Sequence, residues 1–435
     1  VASCGITAEA TLSSFRFLHA ADLHLDSPLR GLDADATAPA QRIRQASRDA
    51  LDRLVQLALA ERVDFVLVAG DLYDGDWPDF RTGQALVAAF ARLTRAGIRV
   101  VAIRGNHDAA SVLTRSLRLP EGARLLNHLR PETLELEELG VSIHGQSFAD
   151  RAAVENIARG YPAPEGRRFN IGLLHTSAAG HQAHETYAPC TVEQLARHGY
   201  DYWALGHVHE RAVLHRGPWI VFPGNLQGRH INEPGAKGAS LVTVRAGQVA
   251  EVVHHALDSV RWQRLSVDCT GAPGLPTVLD RAREAMAAAL DRAEGRLLVL
   301  RLELEGPCPA HAALDSDPLA TRENLRATAL ELAEESDIWI EAVRIRTRPA
   351  LDIDALRART DAVGRLVGAV EALAARPDNS LAAPVRDYAA KLLGSASLRE
   401  ALGSDHPAVM AADGILSPEL LERARALLLA RLAEG

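Results

Sequence analysis

A chain of 435 residues is too long for one small core and points to two or three domains. With 47% hydrophobic and 24% charged residues it has a globular composition, and no run approaches the roughly 18 apolar residues of a membrane span. A net charge of -8 argues against gripping nucleic acid by overall charge, while leaving room for a local basic face.

Cys4, Cys190, Cys269 and Cys308 form no CxxC pair, so neither a disulfide framework nor a thiolate metal site is indicated. A cytoplasmic location is the default expectation. Val1–Ser14 lacks a basic start and a long apolar block, so it reads as a loose tail rather than a signal peptide. Lys237 and Lys391 are the only lysines, and the arginine bias reads as a matter of composition.

Phe15–Ala20 reads as a short strand, followed by Asp22-Leu23-His24, whose period-2 spacing puts both ligand types on one side of an extended backbone. Gln41–Ala60 has helical periodicity. Phe65–Ala69 is a β-branched apolar run read as a buried strand, and Gly70 frees the turn that delivers Asp71 at its carboxyl end. Arg81–Arg95 is a second helix, and strand Arg99–Ile103 leads into Gly105-Asn106-His107-Asp108. This β-α-β-α-β order predicts parallel strands with right-handed crossovers. The next stretch is mostly β. Thr133–Phe148 reads as a hairpin around Gly140, Asn170–Leu174 as a strand ending in His175, and Tyr202–Leu205 as a strand ending in Gly206-His207-Val208-His209. Trp219–Phe222 is another strand, and Ser240–Leu257 a hairpin around Gly247. From Trp262 to Arg346 the pattern becomes a small β-α-β-α-β module, with Asp317 and Pro318 as N-cap and first residue of its second helix. From Leu351 onward the chain reads as helical, interrupted at Pro377–Pro384, with a last helix starting at Ser417-Pro418-Glu419.

Several of these strands end in metal-ligand residue types: Asp22, His24, Asp71, Asn106, His175, His207 and His209. A set of N and O ligands this large, without sulfur, is too many for one ion and suits two. Two divalent ions can clamp an in-line displacement at phosphorus, and Asp71 is the natural bridge because a carboxylate has two oxygens. Asn106 offers a neutral oxygen that limits negative charge facing an anionic substrate. Asp26 and Asp76 share the same loops and read either as loop residues or as residues that support the site from behind the ligands. His181 and His184 follow His175 without HExxH spacing, so a separate zinc site is not expected. His19, His144, His215, His254 and His255 read as structural, and Tyr73 and Trp77 as core packing.

In order, DxH, GDLYD, GNHD, a lone His after a strand, and GHVH resemble the calcineurin-like metallophosphoesterases. The phrases ADLHLDSPL, AGDLYDGDW, RGNHDAAS, YWALGHVH and FPGNLQGRH resemble the SbcD and YhaO type of DNA repair exonuclease, over roughly Phe15–Leu257. The resemblance implies an α/β fold, a β-sandwich flanked by helices (α/β/β/α). It further implies a flexible tail at 1–14, a catalytic domain at 15–258, an α/β capping domain at 259–349 that orients DNA, and a C-terminal helical region at 350–435. Asp22, His24 and His209 would hold one metal, Asn106, His175 and His207 the other, with Asp71 bridging. His107 would face the scissile phosphate and Asp108 would orient it. Manganese is the expected metal, with iron, zinc or magnesium as alternatives. The implied activity is DNA cleavage, exonucleolytic from 3′ ends or endonucleolytic in single strands. Archaeal and eukaryotic relatives carry a His where this chain has Asp74, so polarity transfers less securely than the metal site. Candidate substrate contacts are Arg229, His230, Asp74 and His184. The C-terminal helices would either pack on their own protein or dock an SbcC-like or YhaN-like ATPase, and homodimerisation is left open. Two other readings compete: a phosphatase or small-molecule phosphodiesterase on the same core, and a non-catalytic scaffold for the ATPase.

Overall fold

Phe15 and Phe17 on one face of the first strand, and Leu18 and Ala20 on the other, are all buried, because the strand is covered on both sides. In this computed structural model the described residues are 14–27, 38–74, 80–109, 118–150, 155–166, 168–178, 188–332, 337–350, 353–374, 382–393, 407–414 and 428. The expected tail, save Ser14, and the last helix expected from Ser417, save Leu428, lie outside them.

Two six-stranded sheets make a sandwich. In the first, β1 (Phe15–Ala20), β2 (Phe65–Ala69), β3 (Arg99–Ile103) and β4 (Ala123–Leu125) run parallel. The later hairpin strands of this sheet, Gly238–Arg245 and Gln248–Ala256, extend it antiparallel on the other side of β1. In the second sheet, β5 (Glu132–Leu136) pairs antiparallel with β6 (Val141–Gly145). From β6 the parallel strands are β7 (Phe169–His175), β8 (Tyr202–Gly206) and Trp219–Phe222, and Ala212–Arg216 pairs antiparallel on the far edge. The hairpin turns at Gly140, whose φ of 61° is the left-handed conformation glycine tolerates.

The interior between the sheets is built by alternate residues of both: Phe15, Phe17, Phe65, Leu67, Val101 and Ile103 face Ile143, Ile171, Leu173 and Tyr202. Phe17 stacks on Phe65 at 4.9 Å and meets Tyr202 edge-on at 5.2 Å, pairs that contribute about 0.5–1.5 kcal/mol each beyond area burial. The outer face of the first sheet is covered by α1 (Ala38–Glu61) and α2 (Phe80–Arg95), through Leu51, Leu54, Val55, Leu86, Phe90 and Leu93. The outer face of the second carries Leu174, Trp203, Leu205 and Tyr161 with Leu195 of a short helix, Val192–Arg197. Trp203 lies over Gly172, where an added Cβ would sit 2.3 Å from the indole. The layers are therefore helix, sheet, sheet, helix.

One polar side chain ties the sheets together inside the sandwich. His19 of β1 is fully buried, with Nδ1 3.0 Å from the Tyr202 hydroxyl and Nε2 3.1 Å from the Leu205 carbonyl. Burial pushes this imidazole down to about 3, so it is neutral.

The chain divides into two compact units: Val1–Arg264 with Ala288–Arg301 and Ala333–Glu341, and Leu265–Ala287 with Leu302–Leu332 and Ala342–Gly435. Strands Val260–Asp268, Leu297–Pro307 and Ile338–Arg348 form a three-stranded sheet in that order, with helices Leu275–Ala293 and Pro318–Leu332 between them in sequence. Asp317 caps the second helix by accepting the amide of Ala320 at 2.9 Å. Beyond it come short helices at Ile353–Arg357, Ala362–Ala374, Ala382–Leu392 and Pro407–Ala412. Pro384 sits in the first turn of its helix, where a missing N–H costs nothing. Among the described residues, no helix is long and apolar enough to cross a membrane.

Candidate metal centre

All the expected ligands leave the carboxyl ends of β1, β2, β3, β7 and β8, so the two sheets present them on one rim. Asp22, His24 and His209 each bring one ligand atom within 4.8 Å of the others, and so do Asp71, His175 and His207. Asp71 Oδ2 lies 3.7 Å from His24 Nε2 and 3.5 Å from His175 Nε2, between the two sets. Asn106 adds its Oδ1 3.0 Å from His175 Nε2.

The backbone is bent to achieve this. Asp22, His24 and Asp71 have φ of 51°, 42° and 49°, and His207 has 103°. Non-glycine residues there are strained by on the order of 1–3 kcal/mol each and need to be held. The His207 amide donates to both Asp22 oxygens at 3.0 Å, the His107 amide to Asp71 Oδ1 at 3.0 Å, and the Asp22 amide to the Gly70 carbonyl at 3.0 Å. Gly105 leaves the room required: a Cβ there would lie 2.2 Å from Asp71 Oδ1 and 2.7 Å from His175 Cε1.

The donor chemistry fits cations. His175 Nδ1 is 2.9 Å from the Ala69 carbonyl, which fixes the proton on Nδ1 and leaves Nε2 a bare acceptor. That acceptor faces another, Asn106 Oδ1. His24 Nε2 and His209 Nε2 face each other at 3.1 Å, while His209 Nδ1 is held 2.7 Å from Glu233 Oε1. Burial, ahead of all other influences, lowers the pKa of His24, His175 and His209, so the rings are neutral and offer lone pairs. Asp22 is pushed well above the carboxylate range by burial and by the Asp71 carboxylate, and Asp108 up to about 7 for the same reasons. Facing lone pairs and crowded buried carboxylates are what a pair of divalent cations would satisfy.

The residues around His107 differ from expectation. Asp108 does not orient it. Fully buried, Asp108 accepts the amides of Leu72, Tyr73 and Gly105 at 2.9, 2.9 and 3.1 Å, pinning the Asp71 turn to the Asn106 turn. The partner of His107 is Asp74, with Oδ1 2.5 Å from Nδ1. Asp74 is held below its ordinary value despite burial, through hydrogen bonds from His107 and from Ser27. The bond to Asp74 raises the His107 pKa, opposite to the lowering at His24, His175 and His209.

Of the other candidate contacts, Arg229 is spent within the protein. Its Nη2 is 3.0 Å from Glu233 Oε1 and its Nη1 3.5 Å from Asp74 Oδ2, joining the carboxylate behind His209 to the one behind His107. His230 is partly exposed, 3.7 Å from Glu233 Oε1. His184 lies outside the described residues. Asp26 anchors the first loop through Arg48 and Thr82, and Tyr73 is buried. Glu233 was absent from the sequence-derived set, and its signal, an acidic residue four places after Arg229 in a Gly-rich loop, is faint.

Neutral imidazoles and a shared carboxylate at the rim of an α/β/β/α sandwich define the chain's class: it belongs to the calcineurin-like metallophosphoesterases. The family profile "Calcineurin-like phosphoesterase" matches residues 15–211, and "Metallophosphoesterase YhaO, middle domain" matches 262–348. Within the class it falls in the YhaO group. It is 35% identical over 302 residues to the uncharacterized metallophosphoesterase YhaO of Bacillus subtilis, covering 68% of this chain and 73% of that protein. It is also similar to the DNA double-strand break repair protein Mre11 of Sulfurisphaera tokodaii, 28% identical over 244 residues, 53% of this chain and 60% of the relative. A shorter match, 35% over 132 residues, covers 30% of this chain and 26% of a component of the nuclease SbcCD of Rhodobacter capsulatus.

Proposed function

We propose that the protein is a two-metal DNA nuclease that hydrolyses phosphodiester bonds during repair or end processing in the cytoplasm. The observation that carries the hydrolytic part is Asp71 Oδ2, 3.7 Å from one ligand imidazole and 3.5 Å from another, which joins two ligand sets through one carboxylate. DNA as substrate is supported by relatives named for double-strand break repair and as a nuclease.

Asp22, His24 and His209 would hold one ion, Asn106, His175 and His207 the other, and Asp71 both. Two divalent cations, manganese first, would supply Lewis-acid activation of the phosphoryl group and of the attacking water. The rest is done by side chains. Asp74 holds His107 by Nδ1 and raises its pKa, and the protonated ring would offer its Nε2–H to the leaving oxygen. That proton passes to the leaving oxygen as the P–O bond breaks, and His107 is left neutral. Asp74 is a positioning residue here, not a substrate contact. Segment 15–258 is the catalytic domain in this reading, 259–349 steadies DNA, and 350–435 docks an ATPase. The relative named as one component of SbcCD supports a partner.

The test is to incubate manganese-loaded protein with end-labelled DNA and with a generic phosphate ester. DNA cleavage that falls at least a hundredfold in His107→Ala is expected. Turnover of esters or cyclic nucleotides without DNA cleavage would reject the nuclease in favour of a phosphatase or small-molecule phosphodiesterase, and no turnover at all would favour a scaffold.

A further inference from the structure

β4 runs parallel to β3, and β5 runs antiparallel to β6, which itself parallels β7. The carboxyl end of β4 and the amino end of β5 therefore lie on the ligand-bearing rim, and the connection 126–131 crosses from one sheet to the other beside the metal centre. It is firmly anchored. The Ser147 amide donates to the Asn127 carbonyl at 2.8 Å, the Ser147 hydroxyl to the Leu126 carbonyl at 2.6 Å, and Gln146 Nε2 to the His128 carbonyl at 3.3 Å. At the tip, the Leu129 amide donates to Asn127 Oδ1 at 2.7 Å, an Asx turn that fixes the next side chain.

That side chain is Leu129, 77% exposed, the most exposed large apolar residue among those described. A single exposed leucine needs no explanation on an ordinary surface. This one stands between His128 and Arg130 on a pinned turn. Arg104, the residue before Gly105-Asn106, reaches the same loop with Nη2 3.5 Å from His128 Nδ1. Arg124 and exposed Arg130 border a cavity of about 440 Å³ behind the tip, with Arg124 paired to Glu132 at 2.6 Å. In a protein of net charge -8, cations run from the metal-bearing turn to an apolar tip.

We infer that loop 126–131 is a nucleic-acid contact: Arg104, His128 and Arg130 line the path of the phosphates leaving the metal centre, and Leu129 packs against an unstacked base. Phosphate contacts set register and an apolar wedge can part stacked bases beside the cut. This rests on the DNA reading above and specifies the substrate as a polynucleotide longer than the cleaved linkage.

The full-length protein with manganese is assayed on a labelled DNA hairpin with a single-stranded extension and on bis(p-nitrophenyl) phosphate. Binding of the same hairpin is followed by anisotropy in EDTA. In Leu129→Ala the ratio of DNA to bis-ester kcat/KM is expected to fall at least tenfold. In Arg130→Ala the slope of log affinity against log salt is expected to drop by about one. Wild-type ratio and slope in both variants, with a wild type that cleaves DNA, would overturn the inference alone. A wild type that turns over the bis-ester yet neither cleaves nor binds the hairpin would overturn the DNA reading, and this inference with it.

Discussion

Glu233 gives the sharpest check on the metal centre. It is buried, its Oε1 lies 2.7 Å from His209 Nδ1, and its Oε2 accepts Asn225 Nδ2 at 2.9 Å and the Arg229 amide at 2.8 Å. These cationic and N–H neighbours hold it far below the carboxylate range against the opposing effect of burial. A carboxylate behind a ligand imidazole fixes the tautomer and raises the basicity of the other nitrogen, and losing such a partner costs 10–100-fold in metal affinity, about 1.4–2.8 kcal/mol. Glu233→Gln keeps the size and one acceptor oxygen but removes the charge. Only the Asp22, His24 and His209 set touches Glu233, so one ion should weaken by that factor while the ion at Asn106, His175 and His207 keeps its affinity within about threefold. Chelator competition with manganese, read as two separate affinities, measures this, and thermal melts in EDTA show whether the fold survives. Equal weakening at both sites, or none at either in a folded variant, would refute this account of how His209 is held.

Other outcomes follow from the same geometry. Asp71→Asn removes the shared charge, so metal analysis should find both ions weakened, and two ions bound at wild-type affinity would contradict the bridge. Gly105→Ala puts a methyl 2.2 Å from Asp71 Oδ1, so hydrolysis should fall by two orders of magnitude or more, with the far-ultraviolet spectrum retained. His19 titrates near 3 in the folded chain against 6.5 unfolded, so the unfolded state takes up the proton first as pH falls. Its contribution is complete above pH 6.5 and is lost towards pH 3, with about 1.4 kcal/mol gone at pH 5.5. Urea unfolding in EDTA at pH 7.5 and 5.5 should therefore show the stability gap between wild type and His19→Gln shrinking by that amount, and an unchanged gap would show that His19 is not held neutral.

The strands that carry the candidate ligands were legible because each is a short apolar, β-branched run closed by a turn residue and a metal-ligand residue type, as in Phe65–Ala69 before Gly70 and Asp71. Other strands carried too little pattern. Ala123–Leu125 has three residues, and Ala212–Arg216 is an edge strand of half-buried side chains. Helix Val192–Arg197 carries its start signal in the sequence, a Thr191–Gln194 capping box. The exchange of roles between Asp74 and Asp108 was not legible for a geometric reason. Adjacency suggests that Asp108 serves His107, but Asn106–Ala109 is a helical turn, where neighbouring side chains diverge by about 100°. Asp108 is thus turned into the strand ends, and a residue 33 positions earlier reaches His107 instead.

The candidate ligand carboxylates each have two roles, and this explains how a strained rim persists. Asp22 from β1 accepts the amide of His207 after β8, and Asp71 after β2 accepts the amide of His107 after β3. Each carboxylate therefore holds a neighbouring strand's ligand-bearing turn as well as offering an oxygen to the site. Four left-handed ligand residues at on the order of 1–3 kcal/mol each would otherwise relax towards ordinary φ and scatter the donors. Because the cross-strand amides already hold them, the donors are gathered by the chain itself, and cations bound there would relieve the crowding of Asp22 and Asp71. Mutating Asp22 should accordingly disturb the His207 turn, and mutating Asp71 the His107 turn, as well as the metal each would hold.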